Sequence, residues 1–122
     1  MSLSFMSFGY RYGLPLDADL IFDVRFINNP YWQQELRSLT GNEKAVVDFV
    51  FADKRTKLLL DKLIAYLDYS FKEFFNDQKS HVTIAIGCTG GKHRSVVFTN
   101  YLVKLYQDKY HTLKLHRDIH RK

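Results

Sequence analysis

Apolar and polar positions alternate in this chain with two distinct periods, and the switches between them mark out its elements. Ser4-Phe5-Met6-Ser7-Phe8 reads as a first strand ending at Gly9. Leu20 to Phe26 is a second, with Leu20, Phe22, Val24 and Phe26 on one face and Asp23 and Arg25 on the other. Thr40 and Glu43 have capping-box spacing and predict a helix from about Asn42 to Phe51. After Asp53-Lys54-Arg55, the residues Leu60, Leu63, Ile64, Leu67, Phe71, Phe74 and Phe75 fall at steps of three and four, the buried stripe of a second helix. The β-branched run Val82-Thr83-Ile84-Ala85-Ile86 predicts a buried central strand, with His81 a surface histidine at its edge. A third helix from Ser95 turns Phe98, Tyr101, Leu102, Leu105 and Tyr106 inward, and His111 to His116 alternates as a last edge strand. Strands alternating with helices imply an α/β fold, a small three-layer domain with a parallel or mixed sheet and helices on both faces.

Composition narrows this only a little. A chain of 122 residues, 46% hydrophobic, makes residues 1–122 one domain with a single core. It has no apolar run of membrane-spanning length and no signal-peptide pattern, so a cytoplasmic location away from the membrane is expected. The opening Met1-Ser2-Leu3 reads as an appended segment and the chain as a fragment of something longer. Cys88 is the single cysteine, the five histidines lack ligand spacing, and no metal site is expected. The net charge of +5 favours phosphorylated or nucleic-acid partners without requiring them.

The chemistry gathers at Gly87-Cys88-Thr89-Gly90-Gly91-Lys92-His93-Arg94-Ser95, where the central strand turns into the third helix. A helix start leaves backbone N–H groups unpaired and carries the positive end of the helix dipole. Gly90 and Gly91 let that backbone approach a ligand, Lys92 and His93 add donors, and Arg94 can grip two phosphate oxygens. Cations at this end oppose the dipole, which makes a bound anion the natural complement, although a solvated cationic patch would read the same way. Asp23 and Arg25, near the C-terminal end of their strand, are either ligand-facing or a structural ion pair. The loop Asn28-Asn29-Pro30-Tyr31-Trp32 at the same end either closes over a ligand or caps the sheet.

Cys88, five residues, then Arg94 and Ser95 is similar to the Cys-x5-Arg-Ser/Thr loop of cysteine-dependent phosphatases, which implies Cys88 as nucleophile and Arg94 as phosphate clamp. Gly87 stands where the tyrosine-phosphatase signature has His, no aspartate is assignable as general acid, and Cys88 reads equally as a small buried residue. A longer resemblance runs through Phe8 to Asp19, Phe22 to Phe26, Asn29-Pro30, Leu39-Thr40-Gly41 and Ile86 to Val96. Over these segments the chain resembles the C-terminal domain of RapZ/YvcJ-type bacterial nucleotide-binding proteins, whose best-known member is an RNase adaptor. The resemblance implies a parent with an N-terminal P-loop domain that binds and hydrolyses ATP or GTP with magnesium, a domain this chain lacks. The segment Gly87 to His93 is one residue short of a Walker A loop and has His93 at its Ser/Thr position, so no cofactor is expected here. The resemblance also implies a regulatory domain that senses glucosamine-6-phosphate, self-associates, and binds small RNA with an RNase partner. Thr89, Gly90, Gly91, His93 and Arg94 would then hold the phosphate. Tyr31 would stand at a ligand-contacting position occupied by His in the adaptor branch, and Arg117, Arg121 and Lys122 would form the RNA-binding tail. Asp23 would pair a sugar ammonium, while Arg25 and Arg94 neutralise phosphate charge.

Overall fold

The computed structural model describes residues 1–121; Lys122, the last residue of the expected basic tail, lies outside them. Four strands form one sheet: β1 (Ser2–Gly9), β2 (Leu20–Asp23), β3 (His81–Cys88) and β4 (His111–His116). Their order is β2-β3-β1-β4, with every neighbouring pair parallel, which settles the choice between parallel and mixed. Three helices, α1 (Lys44–Ala52), α2 (Lys54–Asn76) and α3 (Arg94–Tyr106), complete the α/β domain. None of the described helices is long and apolar enough to cross a membrane.

Alternation decides what each strand buries. Leu3 and Phe5 of β1 and Val82, Ile84 and Ile86 of β3 enter one cluster with Leu60, Leu63, Leu67 and Phe71 of α2. Phe98, Leu102 and Tyr106 of α3 and Val46 and Val50 of α1 join the same cluster, so all three helices serve one core. Tyr106 stacks on Phe5 at 6.0 Å, meets Phe71 edge-on at 5.3 Å, and donates its Oη–H to Asp68 at 2.7 Å. On the reverse face Phe8 is buried beside Tyr10, with Arg117 above its ring, whereas Met6, Leu113 and Leu115 line a shallow open groove.

Several boundaries move from their expected places. Leu3 is fully buried and Ser2 pairs with His81, so Met1-Ser2-Leu3 is not an appendage to the fold: Ser2 and Leu3 are the start of β1. β2 ends at Asp23 because the Asp23 carboxylate accepts from the N–H of Arg25 and turns the chain. Phe26 therefore stands half-exposed while Val24 reaches the core. Thr40 and Glu43 do bond to each other, yet the Thr40 hydroxyl accepts from the N–H of Asn42 in a turn ahead of α1, which begins at Lys44. The working cap is Asp53, whose carboxylate accepts from the N–H of Arg55 at the start of α2. His81 is half-buried and bonded on both ring nitrogens, to Ser2 at 2.6 Å and Ser4 at 2.9 Å. Phe75, Tyr101 and Leu105 lie at the solvent edge of their stripes.

Candidate anion-binding cleft

β3 and α3 are joined by Thr89 to His93, and this junction forms the floor of a cleft of about 250 Å³. The turn has lopsided backbone bonding. Three of its five carbonyls are taken: Thr89 accepts from Arg11 N–H, Lys92 from Gly41 N–H at 2.8 Å, and His93 from Val97 N–H. Its donors are free, for among the described residues the N–H groups of Gly90, Gly91, Lys92 and His93 have no protein acceptor. Successive unpaired N–H groups ahead of a helix N-terminus form a concave donor surface for an anion.

Two glycines make this turn possible in different ways. Gly91 has φ +77, and a Cβ there would lie 2.6 Å from the backbone N of Gly9 and 2.9 Å from Cβ of Asp118. Gly91 is the side of the turn pressed against the fold. Gly90 lines the cleft, and a Cβ added to it meets nothing within 4 Å.

Arg94 sits beneath the turn, 3% exposed. Its Nη1 donates to the carbonyls of Arg25 and Ile27, and its Nη2 to the Thr89 hydroxyl at 3.3 Å. Its Nε is buried without a partner. Burial pulls the guanidinium below its ordinary range, while Cys88 and Asp23 nearby oppose that shift; an arginine so placed stays charged at neutral pH. A buried, charged donor with one N–H unused is costly unless something accepts from it. Cys88 lies alongside, 2% exposed, with its Sγ 3.1 Å from the Ser95 hydroxyl.

His93 lines the cleft, but its Nε2 is committed to the Leu39 carbonyl at 2.6 Å. Burial pushes its pKa below the ordinary histidine value, so it is neutral at pH 7 and contributes no charge. Its bond to Leu39, together with that of Gly41 to Lys92, anchors the end of the 28–41 segment to the cleft floor. That segment supplies the wall: Asn29, Tyr31, Trp32 and Arg37 all line the cleft. Arg37 donates to the Tyr31 carbonyl at 3.0 Å and lies 4.6 Å from that ring, and Tyr31 meets Trp32 edge-on. Arg11 and Tyr12 close the other side.

Thr89, Gly90, Lys92, His93, Arg94 and Tyr31 thus come together at one cleft, with Gly91 behind them. Asp23 and Arg25 are held to each other, Nη2 to Oδ2 at 2.7 Å, and neither lines the cleft. The Arg25 hydrogen bonds hold the Asp23 carboxyl below the usual range, and the Arg25 guanidinium rests 3.8 Å from the Tyr10 ring centroid. Arg117 and Arg121 converge on the fully buried Asp118, whose carboxylate also accepts from Gly9 N–H at 2.8 Å. Arg121 in addition lies over Tyr12 at 4.7 Å. Arg11 and Arg37 are lining residues that sequence reasoning passed over. Neither lies in a periodic element or beside the glycine turn, and the only local signal is the mixed aromatic and cationic run Tyr10-Arg11-Tyr12.

Residues 1–120 match the family of the RapZ C-terminal domain. A nucleotide-binding protein of Bacillus pumilus is 45% identical over 121 residues, which is 99% of this chain and 41% of that protein. Similar relatives are nucleotide-binding proteins of Listeria welshimeri, 46% identical over 99% of this chain and 42% of that protein, and of Carboxydothermus hydrogenoformans, 45% identical over 98% and 42%. The chain spans about two fifths of the length of these relatives. With a parallel α/β fold, a glycine turn between β3 and α3, and a family match over nearly every residue, this chain belongs to the RapZ C-terminal domain family.

Proposed function

We propose that this domain is the regulatory, ligand-binding part of a larger nucleotide-binding protein, and that its cleft takes a phosphorylated metabolite. The observation that carries the reading is the pairing of unused donors along one cleft: the free backbone N–H groups of the lining residues Gly90, Lys92 and His93, and the buried Nε of Arg94. Phosphate oxygens satisfy both sets and complement the start of α3. Glucosamine-6-phosphate is the ligand that family resemblance implies. Tyr31 lines the cleft, which supports a role for it in holding the sugar, whereas Asp23, paired with Arg25, lies off the lining, so ammonium recognition does not follow from that carboxylate.

The test is calorimetric titration with glucosamine-6-phosphate, glucose-6-phosphate and inorganic phosphate, on wild type and Gly90→Ala. A methyl at Gly90, a lining residue, meets no atom of the fold within 4 Å and is expected to narrow the cleft beside the free N–H groups. The expected result is phosphate-ester binding in wild type, weakened at least about tenfold in Gly90→Ala. Unchanged affinity in a folded Gly90→Ala protein would refute the site. Preference for the amino sugar over glucose-6-phosphate would support the sensor reading in its narrower form.

Binding rather than turnover is favoured by the cleft lining, which holds no Asp or Glu among the described residues to act as general acid beside Cys88. Release of phosphate from an aryl phosphate, lost in Cys88→Ser, would reverse that judgement. RNA binding through Arg117 and Arg121, an RNase partner, self-association and nucleotide hydrolysis by the parent remain proposals resting on resemblance. Since both arginines also hold Asp118, an RNA-binding test on their variants requires a stability measurement beside it.

A further inference from the structure

Arginine partnerships divide by location in this domain. Arg25, Arg55, Arg117 and Arg121 each pair with an aspartate, whereas Arg11, Arg37 and Arg94 have no carboxylate partner among the described residues. All three of the latter line the same cleft, together with Lys92, which is likewise without an ion pair. Among the described residues no acidic side chain lines the cleft to offset them, and His93 is neutral. Four cations therefore share one cavity, an unbalanced positive charge that an anion would complement.

The four do not serve a single phosphoryl group equally. Arg94 and the free N–H groups belong to the floor, at the start of α3. Arg11 enters from the segment after β1, its N–H bonded to the Thr89 carbonyl, and Arg37 from the wall, and both side chains are exposed at the rim. Arg37 is held in place through Nε by the Tyr31 carbonyl, which leaves its terminal nitrogens uncommitted. A phosphate monoester carries a charge of about −2 near neutral pH and would occupy the floor alone. A second, linked phosphoryl group would reach the rim and add the charge that Arg11 and Arg37 lack.

Beside the rim stands Trp32, 73% exposed although it lines the cleft, and braced edge-on by Tyr31 at 5.5 Å. A large apolar ring held open next to cations suits a planar or ring-shaped organic group. We infer that the cleft is a two-phosphoryl site, its floor binding one phosphate, Arg11 and Arg37 the next, and Trp32 the organic moiety of a diphosphate ester. This rests on the reading of the floor as a phosphate site and adds the class of ligand that fills the whole cleft.

The experiment titrates the protein with UDP, UMP, pyrophosphate and inorganic phosphate at equal ionic strength in magnesium-free buffer. It compares wild type with Arg11→Gln/Arg37→Gln, Trp32→Ala and Gly90→Ala. The expected result is UDP binding at least about tenfold tighter than UMP, an advantage erased by the double arginine substitution while inorganic phosphate affinity stays within about threefold. Trp32→Ala is expected to bring UDP down to the affinity of pyrophosphate. Equal affinity for UDP and UMP, or UDP binding indifferent to Arg11 and Arg37, would overturn the two-phosphoryl site while leaving the floor intact, provided Gly90→Ala still weakens phosphate. Pyrophosphate binding as tightly as UDP in wild type would overturn the role of Trp32. No binding of any of the four would remove the floor and the rim together.

Discussion

Asp118→Ala should damage this domain more than any other carboxylate truncation, and the structure sets the size of the effect. Asp118 is fully buried and its carboxylate serves three elements at once: Gly9 N–H at the end of β1, Arg117 at 2.9 Å and Arg121 at 3.1 Å. Truncation orphans the buried Gly9 N–H, at about 1–3 kcal/mol. It also strips Arg117, only 22% exposed, of its counter-charge, at about 1–2 kcal/mol. The Arg121 pair is half-exposed and contributes about 0.5 kcal/mol. The sum, about 2.5–5.5 kcal/mol, is a large part of the stability of a domain of this size. In urea, with a slope of about 1.5 kcal/mol/M, the midpoint should fall by about 2–4 M at unchanged slope. Asp118→Asn, which keeps an acceptor for Gly9, should lose roughly half as much. Burial pushes the Asp118 carboxyl up, but its bonds from Arg117, Gly9 and Arg121 outweigh this and hold it below 3.8. The sign follows: the stabilisation is present above pH 3.8 and is lost as pH falls through the lower folded value, an acid limb that Asp118→Asn should lack. A midpoint shift under about 0.5 M for Asp118→Ala would refute the accounting.

Gly91→Ala should cost more than about 2 kcal/mol in the same denaturation assay, because the new Cβ meets the Gly9 backbone at φ +77, while Gly90→Ala should cost under about 0.5 kcal/mol; equal effects would contradict the assignment of the two glycines. His116 accepts from Ser7 and donates to Asn100, and burial, helped by Lys114, brings its pKa down to about 4. Its contribution is therefore full above pH 6.5 and lost between pH 6.5 and 4. After discounting for partial exposure this is about 1–2 kcal/mol, and His116→Gln should flatten stability across that window. Asp53→Ala should cost about 2–4 kcal/mol by removing the α2 cap together with the bonds to Asn28 and Arg55; a thermal midpoint within about 2 °C of wild type would count against it.

What the sequence by itself determined is the set of elements and the location of the chemistry. Strand and helix periods are local, and burial enforces them strongly in β3 and α2, where Val82, Ile84, Leu63 and Leu67 all reach the core. The donor turn was legible because its features are contiguous, from Gly87 to Ser95, and a helix start after two glycines has free N–H groups whatever surrounds it. Ends of elements were less legible, since the stop after Asp23 and the late start of α1 depend on one side-chain hydrogen bond competing with the backbone ladder. Only the tertiary structure decided the charge of the cleft. Arg11, Arg37 and Arg94 are remote in the chain and no spacing rule joins them; the β2-β3-β1-β4 order and the wall of residues 28–41 bring them to one cavity. The same folding step withdrew Asp23, Arg25, Arg117 and Arg121 into ion pairs, because opposite charges placed together by the fold neutralise each other before any ligand arrives.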